Sequence, residues 1–125
     1  MGALLDLLKS DEFRRHTALF VGTYRFDVVA PWVRGFAFAV EQICPERPDD
    51  LAGFCEWLVV RFHGGGSLGW DGILRREFGD SDETTKRFFE LLDEFLDDLG
   101  HRGLSAILDE HKRFEIKKYG RSETP

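Results

Sequence analysis

The residues best suited to chemistry in this chain are its histidines, its cysteines and a serine that follows three glycines. The histidines, which could ligate a metal or carry a proton, are His16, His63, His101 and His111. A zinc site needs three or four ligands that converge on one point. Asp109 and Glu110, the carboxylates that precede His111, diverge around a helix. We therefore expect no metal site and no bound cofactor.

The sequence GGGS at 64–67 resembles a phosphate-binding loop in composition. Such a loop follows a strand and carries a lysine that reaches the phosphate. This one follows a predicted helix and has no lysine nearby. It therefore predicts a flexible link between two helices. An alternative stays open, in which a pocket near Gly64–Trp70 is lined by His63 and Ser67 and serves a small ligand or a reaction.

Cys44 and Cys55 both lie in apolar patterns with helical spacing. Burial raises the pKa of a thiol and lowers its reactivity, so we expect neither cysteine to act as a nucleophile. Two cysteines do not form a disulfide framework, which favours a reducing compartment. Residues 1–8 also lack the basic leader of a signal peptide. We expect a cytoplasmic protein that is not an enzyme.

Charge offers a different kind of function. The chain of 125 residues has 23 acidic and 17 basic residues and a net charge of −6. This balance disfavours nucleic acid and anionic membranes as partners, and it suits a basic protein. The carboxylates are densest on one side of a predicted helix at 82–99, at Glu90, Asp93, Glu94, Asp97 and Asp98. They predict either a docking stripe for a basic protein or a solvated helix face.

The elements that position these residues are helices. The spacing of apolar residues predicts an all-α bundle of about five to six helices, with a possible terminal strand at 113–119. Residues 1–119 are expected to form one domain, and 120–125 a disordered tail. The predicted helices span 3–9, 11–16, 28–44, 51–63, 70–78, 82–99 and 104–111, and residues 18–21 form either a short strand or a buried turn.

The segment 28–44 is apolar on nearly every side, which is typical of the central helix of a bundle. Gly35 lies within this segment, although glycine costs a helix about 1 kcal/mol relative to alanine. We therefore expect Gly35 to allow the close approach of a neighbouring helix. The longest apolar stretch, 28–40, is too short to cross a bilayer and contains Arg34.

Several short strings have a familiar combination of residues. They are LFVG at 19–22, WVRG at 32–35, FCEW at 54–57 with Arg61, SLGW at 67–70 with Ile73 and Leu74, and FFELLDEF at 88–95. Together they resemble small helical immunity proteins of bacterial polymorphic toxin and bacteriocin systems. The similarity covers about residues 19–95, and its motifs are packing motifs without catalytic content.

The resemblance implies an inhibitor that binds a cognate toxin and holds it inactive in the cytosol. Many toxins that cut nucleic acid are basic, so an acidic surface would match them. The expected contacts are then the five carboxylates of 82–99, with Asp49 and Asp50 as secondary contacts. Trp70 is the expected aromatic residue at the centre of the interface, since exposed tryptophans are enriched in binding hot spots.

Two other hypotheses remain beside the inhibitor. One is the small-ligand or catalytic pocket near Gly64–Trp70, which requires that His63 converge with a carboxylate such as Asp71. The other is a structural or oligomeric module, which would carry an apolar surface patch that pairs with itself.

Overall fold

The computed structural model describes residues 3–43 and 51–119 of the chain. Within these ranges the protein is all-α, as predicted, with no strand. Its helices are α1 (Ala3–Lys9), α2 (Asp11–Arg15), α3 (Thr17–Val21), α4 (Phe26–Ile43), α5 (Phe54–Phe62), α6 (Gly69–Phe78), α7 (Asp82–Arg102) and α8 (Leu104–Tyr119), and a 3-10 turn (Gly66–Leu68) precedes α6. Cys44, Asp49, Asp50 and the predicted tail at 120–125 lie outside the described residues.

The central helix is α7, which contacts α4, α5, α6 and α8. Its buried side chains recur at helical spacing, and Asp82 and Glu83 at its start and Arg102 at its end suit the helix dipole. The buried residues are Thr84, Thr85, Phe88, Phe89, Leu91, Leu92 and Phe95. The prediction that this helix ends at residue 99 was wrong, because Gly100 continues it and Gly103, at φ +84°, ends it.

The prediction that 28–44 forms the central helix was also wrong. Only the first half of α4 is buried, through Phe26, Val29, Ala30 and Val33. The helix begins at Phe26, whose backbone N–H donates to the carbonyl of Asp80 at 2.9 Å. Apolar composition did not predict burial here, since no helix of the described residues covers most of the second half of α4.

Gly35 does not mediate the close helix approach that the sequence predicted. It is exposed, and a Cβ placed there would meet no atom within 4 Å. The close approach occurs instead at Gly53, just before α5. A Cβ at Gly53 would lie 2.6 Å from Cδ1 of Leu104, and its φ of +90° also favours glycine.

Residues 17–21 form the short helix α3, and Gly22, at φ +100°, ends it. The alternatives of a strand or a buried turn are therefore replaced by a helix. Ser10 caps α2 by accepting a hydrogen bond from the backbone N–H of Phe13 at 3.2 Å. Phe13 is buried and stacks on Trp32, which fixes this end of the chain against α4.

The possible terminal strand at 113–119 was wrong, because α8 continues through Tyr119 as one helix. Ile107 is buried, and Phe114, two turns later, packs against the core from the same side. A strand would have left its backbone groups unpaired, whereas a helix satisfies them internally. The helix lies along α5, which it contacts extensively.

Candidate functional site

The predicted acidic surface of α7 is largely paired with arginines of the same chain. The carboxylate of Asp93 accepts two hydrogen bonds from Arg14, at 2.7 and 2.9 Å. Glu94 lies 2.8 Å from Arg61, and Glu90 lies 2.9 Å from Arg87. The pairs with Arg14 and Arg61 tie α2 and α5 to α7, whereas the pair with Arg87 lies within α7.

Asp98 is also engaged, at the C-terminal end of α7. It accepts hydrogen bonds from the indole N–H of Trp57 at 3.0 Å and from the guanidinium of Arg102 at 2.8 and 2.9 Å. Arg102 lies 2.8 Å from Glu110 of α8 as well. The hydrogen bonds from Arg102, then from Trp57, hold the pKa of Asp98 below its usual value. This carboxylate is part of the structural framework.

Asp97 differs from the other four carboxylates. Its side chain is 78% exposed, and its nearest ionisable partner is His101, at 3.9 Å. The ring Nδ1 of His101 lies 2.8 Å from the backbone carbonyl oxygen of Asp97. This hydrogen bond and, second to it, the negative charge of the Asp97 carboxylate raise the pKa of His101. Of the five predicted contact residues, Asp97 alone has no arginine partner among the described residues.

Trp70 lies in the core. Its side chain is 9% exposed and stacks on Phe88, with 5.0 Å between ring centroids. The guanidinium of Arg34 covers the ring at 5.5 Å. The 3-10 turn and α6 direct the side chain inward, so Trp70 packs as part of the core and is not the exposed aromatic residue expected at the centre of an interface. A partner would find little of its ring to contact.

Next to the glycine loop, His63 and Asp71 do not converge, as a catalytic pocket near Gly64–Trp70 would require. His63 is exposed, and its ring lies 6.3 Å from that of Phe114. Asp71 instead pairs with Arg34 of α4. The loop itself is held in place, because Arg76 donates to the carbonyl of Gly64 at 3.3 Å and Gly64 is buried.

A depression beside the glycine loop brings Cys55, Ser67, His111 and Glu115 together. Sequence reasoning missed the pair His111–Glu115, 3.6 Å apart, although its four-residue spacing was a usable signal. The thiol of Cys55 lies 3.9 Å from the carbonyl of Gly66, and burial raises its pKa. Among the described residues no base contacts this thiol or Ser67, and no group of three potential metal ligands converges.

An open groove runs between α4 and α8, above the start of α5. Its volume is about 510 Å³. Apolar side chains form much of its surface, and two carboxylates lie among them. The lining includes Val33, Ala37, Phe38 and Glu41 of α4, Leu51, Cys55 and Glu56 around the start of α5, Trp70 of α6, and Leu104 and Leu108 of α8.

A second surface lies on the opposite side of α4, where it meets α3. We call it the apolar flank, and it consists of Leu19, Phe20, Val28, Trp32, Phe36 and Ile43. Leu19 is 82% exposed and Ile43 is 78% exposed. The rings of Phe20 and Trp32 each lie 5.5 Å from that of Phe13, and Phe36 stacks on Trp32, so the aromatic side chains of α3 and α4 are linked through Phe13.

The sequence contained a signal for the apolar flank. Residues 17–24 and 35–40 contain no charged side chain. This absence indicates either a fully buried helix or an uncharged surface. The apolar pattern favoured burial for the whole of α4, whereas the second half of this helix is largely exposed.

Comparisons of the chain with protein-family models, with curated proteins and with solved structures found no match. None of the helices in the described ranges combines the length and the apolar character that a bilayer crossing requires.

Proposed function

We propose that this protein acts by binding another protein, and that the apolar flank is its main contact surface. The observation that carries the proposal is the exposure of Leu19, Phe20 and Ile43 on α3 and α4, beside the ring contacts that link the two helices through Phe13. Large apolar side chains that lie together at a surface are costly in water and typically mark an interaction site. The centres of protein interfaces are also depleted in charge, as this flank is.

The acidic side of α7 is a weaker choice for the main contact. A basic partner that engaged Asp93 or Glu94 would compete with Arg14 or Arg61 for the same carboxylate oxygens. Separating those pairs leaves each arginine without its partner, so little free energy remains to favour the complex. Asp97 and the net charge of −6 still favour a basic partner through long-range attraction.

The immunity-type inhibitor remains a prediction about which protein is bound. It rests on the resemblance and on the acidic net charge, and the cytoplasmic location belongs to the same prediction. If the partner is a toxin domain, we place its contact on the apolar flank and assign the negative charge to attraction during encounter.

The proposal is tested with the purified products of genes that neighbour this one. We expect one product to form a complex, and Leu19→Ser combined with Ile43→Ser to weaken it at least about tenfold, because each side chain contributes on the order of 1–2 kcal/mol when buried. Isothermal titration calorimetry gives the affinities.

The matched control replaces Asp97 and Glu90 by Asn and Gln. These changes remove two exposed charges of α7, and we expect a smaller loss of affinity, mainly through slower association. A complex that survives the double serine variant and is lost in the control would refute the flank as the contact surface.

The same flank also favours the oligomeric module among the earlier hypotheses, since an uncharged apolar face can pair with a second copy of itself. Light scattering distinguishes the two functions. If the unmodified protein is a dimer and the double serine variant is a monomer, the partner is another copy of this chain. If the unmodified protein is a monomer, the flank binds a different protein.

A further inference from the structure

The groove between α4 and α8 has an apolar surface that no helix of the described residues covers. Phe38 is 64% exposed, and Leu104 and Leu108 are each exposed by more than a third. Phe38 projects from one wall, and the two leucines project from the other, one helical turn apart. An occupant with apolar side chains would bury all three residues.

Two carboxylates lie among these apolar groups, and neither has an ionic partner among residues 3–43 and 51–119. Glu41 lies on the α4 wall, and Glu56 lies on α5. No arginine, lysine or histidine of the described residues lies within ion-pair distance of either one, in contrast to the arginine-paired carboxylates of α7. The positive charge that faces the groove, Arg34, is matched by Asp71. The groove is therefore apolar and negatively charged, which calls for an apolar and positively charged occupant.

The walls also restrict the backbone of the occupant. An extended peptide gains affinity by adding to the edge of a sheet. The described part of the chain contains no strand, so it has no sheet edge for such a peptide. Such a peptide would lose water from its backbone N–H and C=O groups without replacing those hydrogen bonds. A helix satisfies its own backbone and presents only side chains.

We propose that this groove binds a cationic amphipathic helix of a partner protein. The apolar face of that helix packs between Phe38 and the two leucines, and its flanking lysines or arginines pair with Glu41 and Glu56. The proposal concerns a different side of α4 from the apolar flank, so each surface can be tested without the other.

The probe is a synthetic helical peptide of about 18 residues, long enough to form a helix, with leucines on one face and lysines beside them. Fluorescence anisotropy should show saturable binding that weakens as salt is added. Glu41→Gln with Glu56→Gln should weaken it about fivefold, and Phe38→Ser with Leu108→Ser at least about tenfold. Circular dichroism verifies that each variant remains folded.

The matched control is Glu12→Gln with Glu83→Gln, which removes the same net charge from exposed positions outside the groove. We expect its affinity for the peptide to stay within about twofold of the unmodified protein. The Leu19→Ser and Ile43→Ser changes in the apolar flank should likewise leave peptide binding intact.

Three results would overturn the inference. The first is the absence of saturable binding by the unmodified protein. The second is equal weakening by the control pair and by the Glu41 and Glu56 changes, which shows attraction by net charge alone. The third is equally tight binding of a peptide with glutamates in place of the lysines.

Discussion

Asp98 joins three helices through its hydrogen bonds. It accepts from Trp57 of α5 and from Arg102 of α7, and Arg102 reaches Glu110 of α8. A carboxylate in this position stabilises the packing of α5 and α8 against α7. It also provides the acceptor for the indole N–H of Trp57, which would otherwise be unpaired.

Replacing Asp98 by Ala should lower the free energy of unfolding by about 1–3 kcal/mol, because the Trp57 N–H loses its acceptor and the Arg102 guanidinium loses one of its two carboxylate partners. Asp98→Asn should cost less, since the amide oxygen can still accept from Trp57. Asp97→Ala, at the exposed neighbouring position, should cost less than about 0.5 kcal/mol. Urea denaturation followed by tryptophan fluorescence measures all three, and equal effects at 97 and 98 contradict the structural role.

The ion pairs of α7 illustrate what sequence could not provide at this scale. The sequence placed the five carboxylates on one side of a helix, as the structure does. It could not pair Asp93 with Arg14 or Glu94 with Arg61, because those partners are far apart in the chain and meet only through the packing of α2 and α5. The charge of a helix face therefore depends on neighbours that its own pattern does not contain.

At the scale of elements, predictions succeeded where an apolar period was long and unambiguous. The stripe through Phe88, Leu92 and Phe95 predicted α7 because a strand would have scattered these residues over both faces. The segment 113–119 alternates partly and fits either element. Only the packing of Phe114 against the core, on the same side of α8 as Ile107, selects the helix, and that packing depends on the position of α5.

Two glycines should respond in opposite ways to alanine. Gly35→Ala should raise the free energy of unfolding by about 0.5–1 kcal/mol, because the site is helical and has open space for a methyl group. Gly53→Ala should lower it by about 1–3 kcal/mol, since the left-handed φ and the contact with Leu104 both disfavour a Cβ. Thermal and urea denaturation of both variants tests this pair.

The Gly35 variant also bears on the surface of α4. If alanine at 35 destabilises the protein, then a neighbouring element packs there, and the exposure assigned to this side of α4 is incorrect. The apolar flank depends on that exposure, so the stability measurement checks the binding proposal independently of any partner.

At the scale of the whole molecule, α4 separates two surfaces that no helix of the described residues covers. One is the uncharged apolar flank shared with α3, and the other is the groove that α4 forms with α8. The acidic side of α7, in contrast, is stabilised by its own ion pairs. This asymmetry could not be inferred from composition, because the sequence shows apolar residues without showing which ones lack a covering helix.

The most direct test of the central claim is site-specific photo-crosslinking in the cell of origin. A photoreactive residue replaces either Leu19, in the apolar flank, or Asp97, a highly exposed carboxylate of α7. We predict that position 19 gives one covalent adduct of defined mass and that position 97 gives little or none. An adduct from position 97 without one from position 19, or no adduct from either, contradicts binding through the apolar flank.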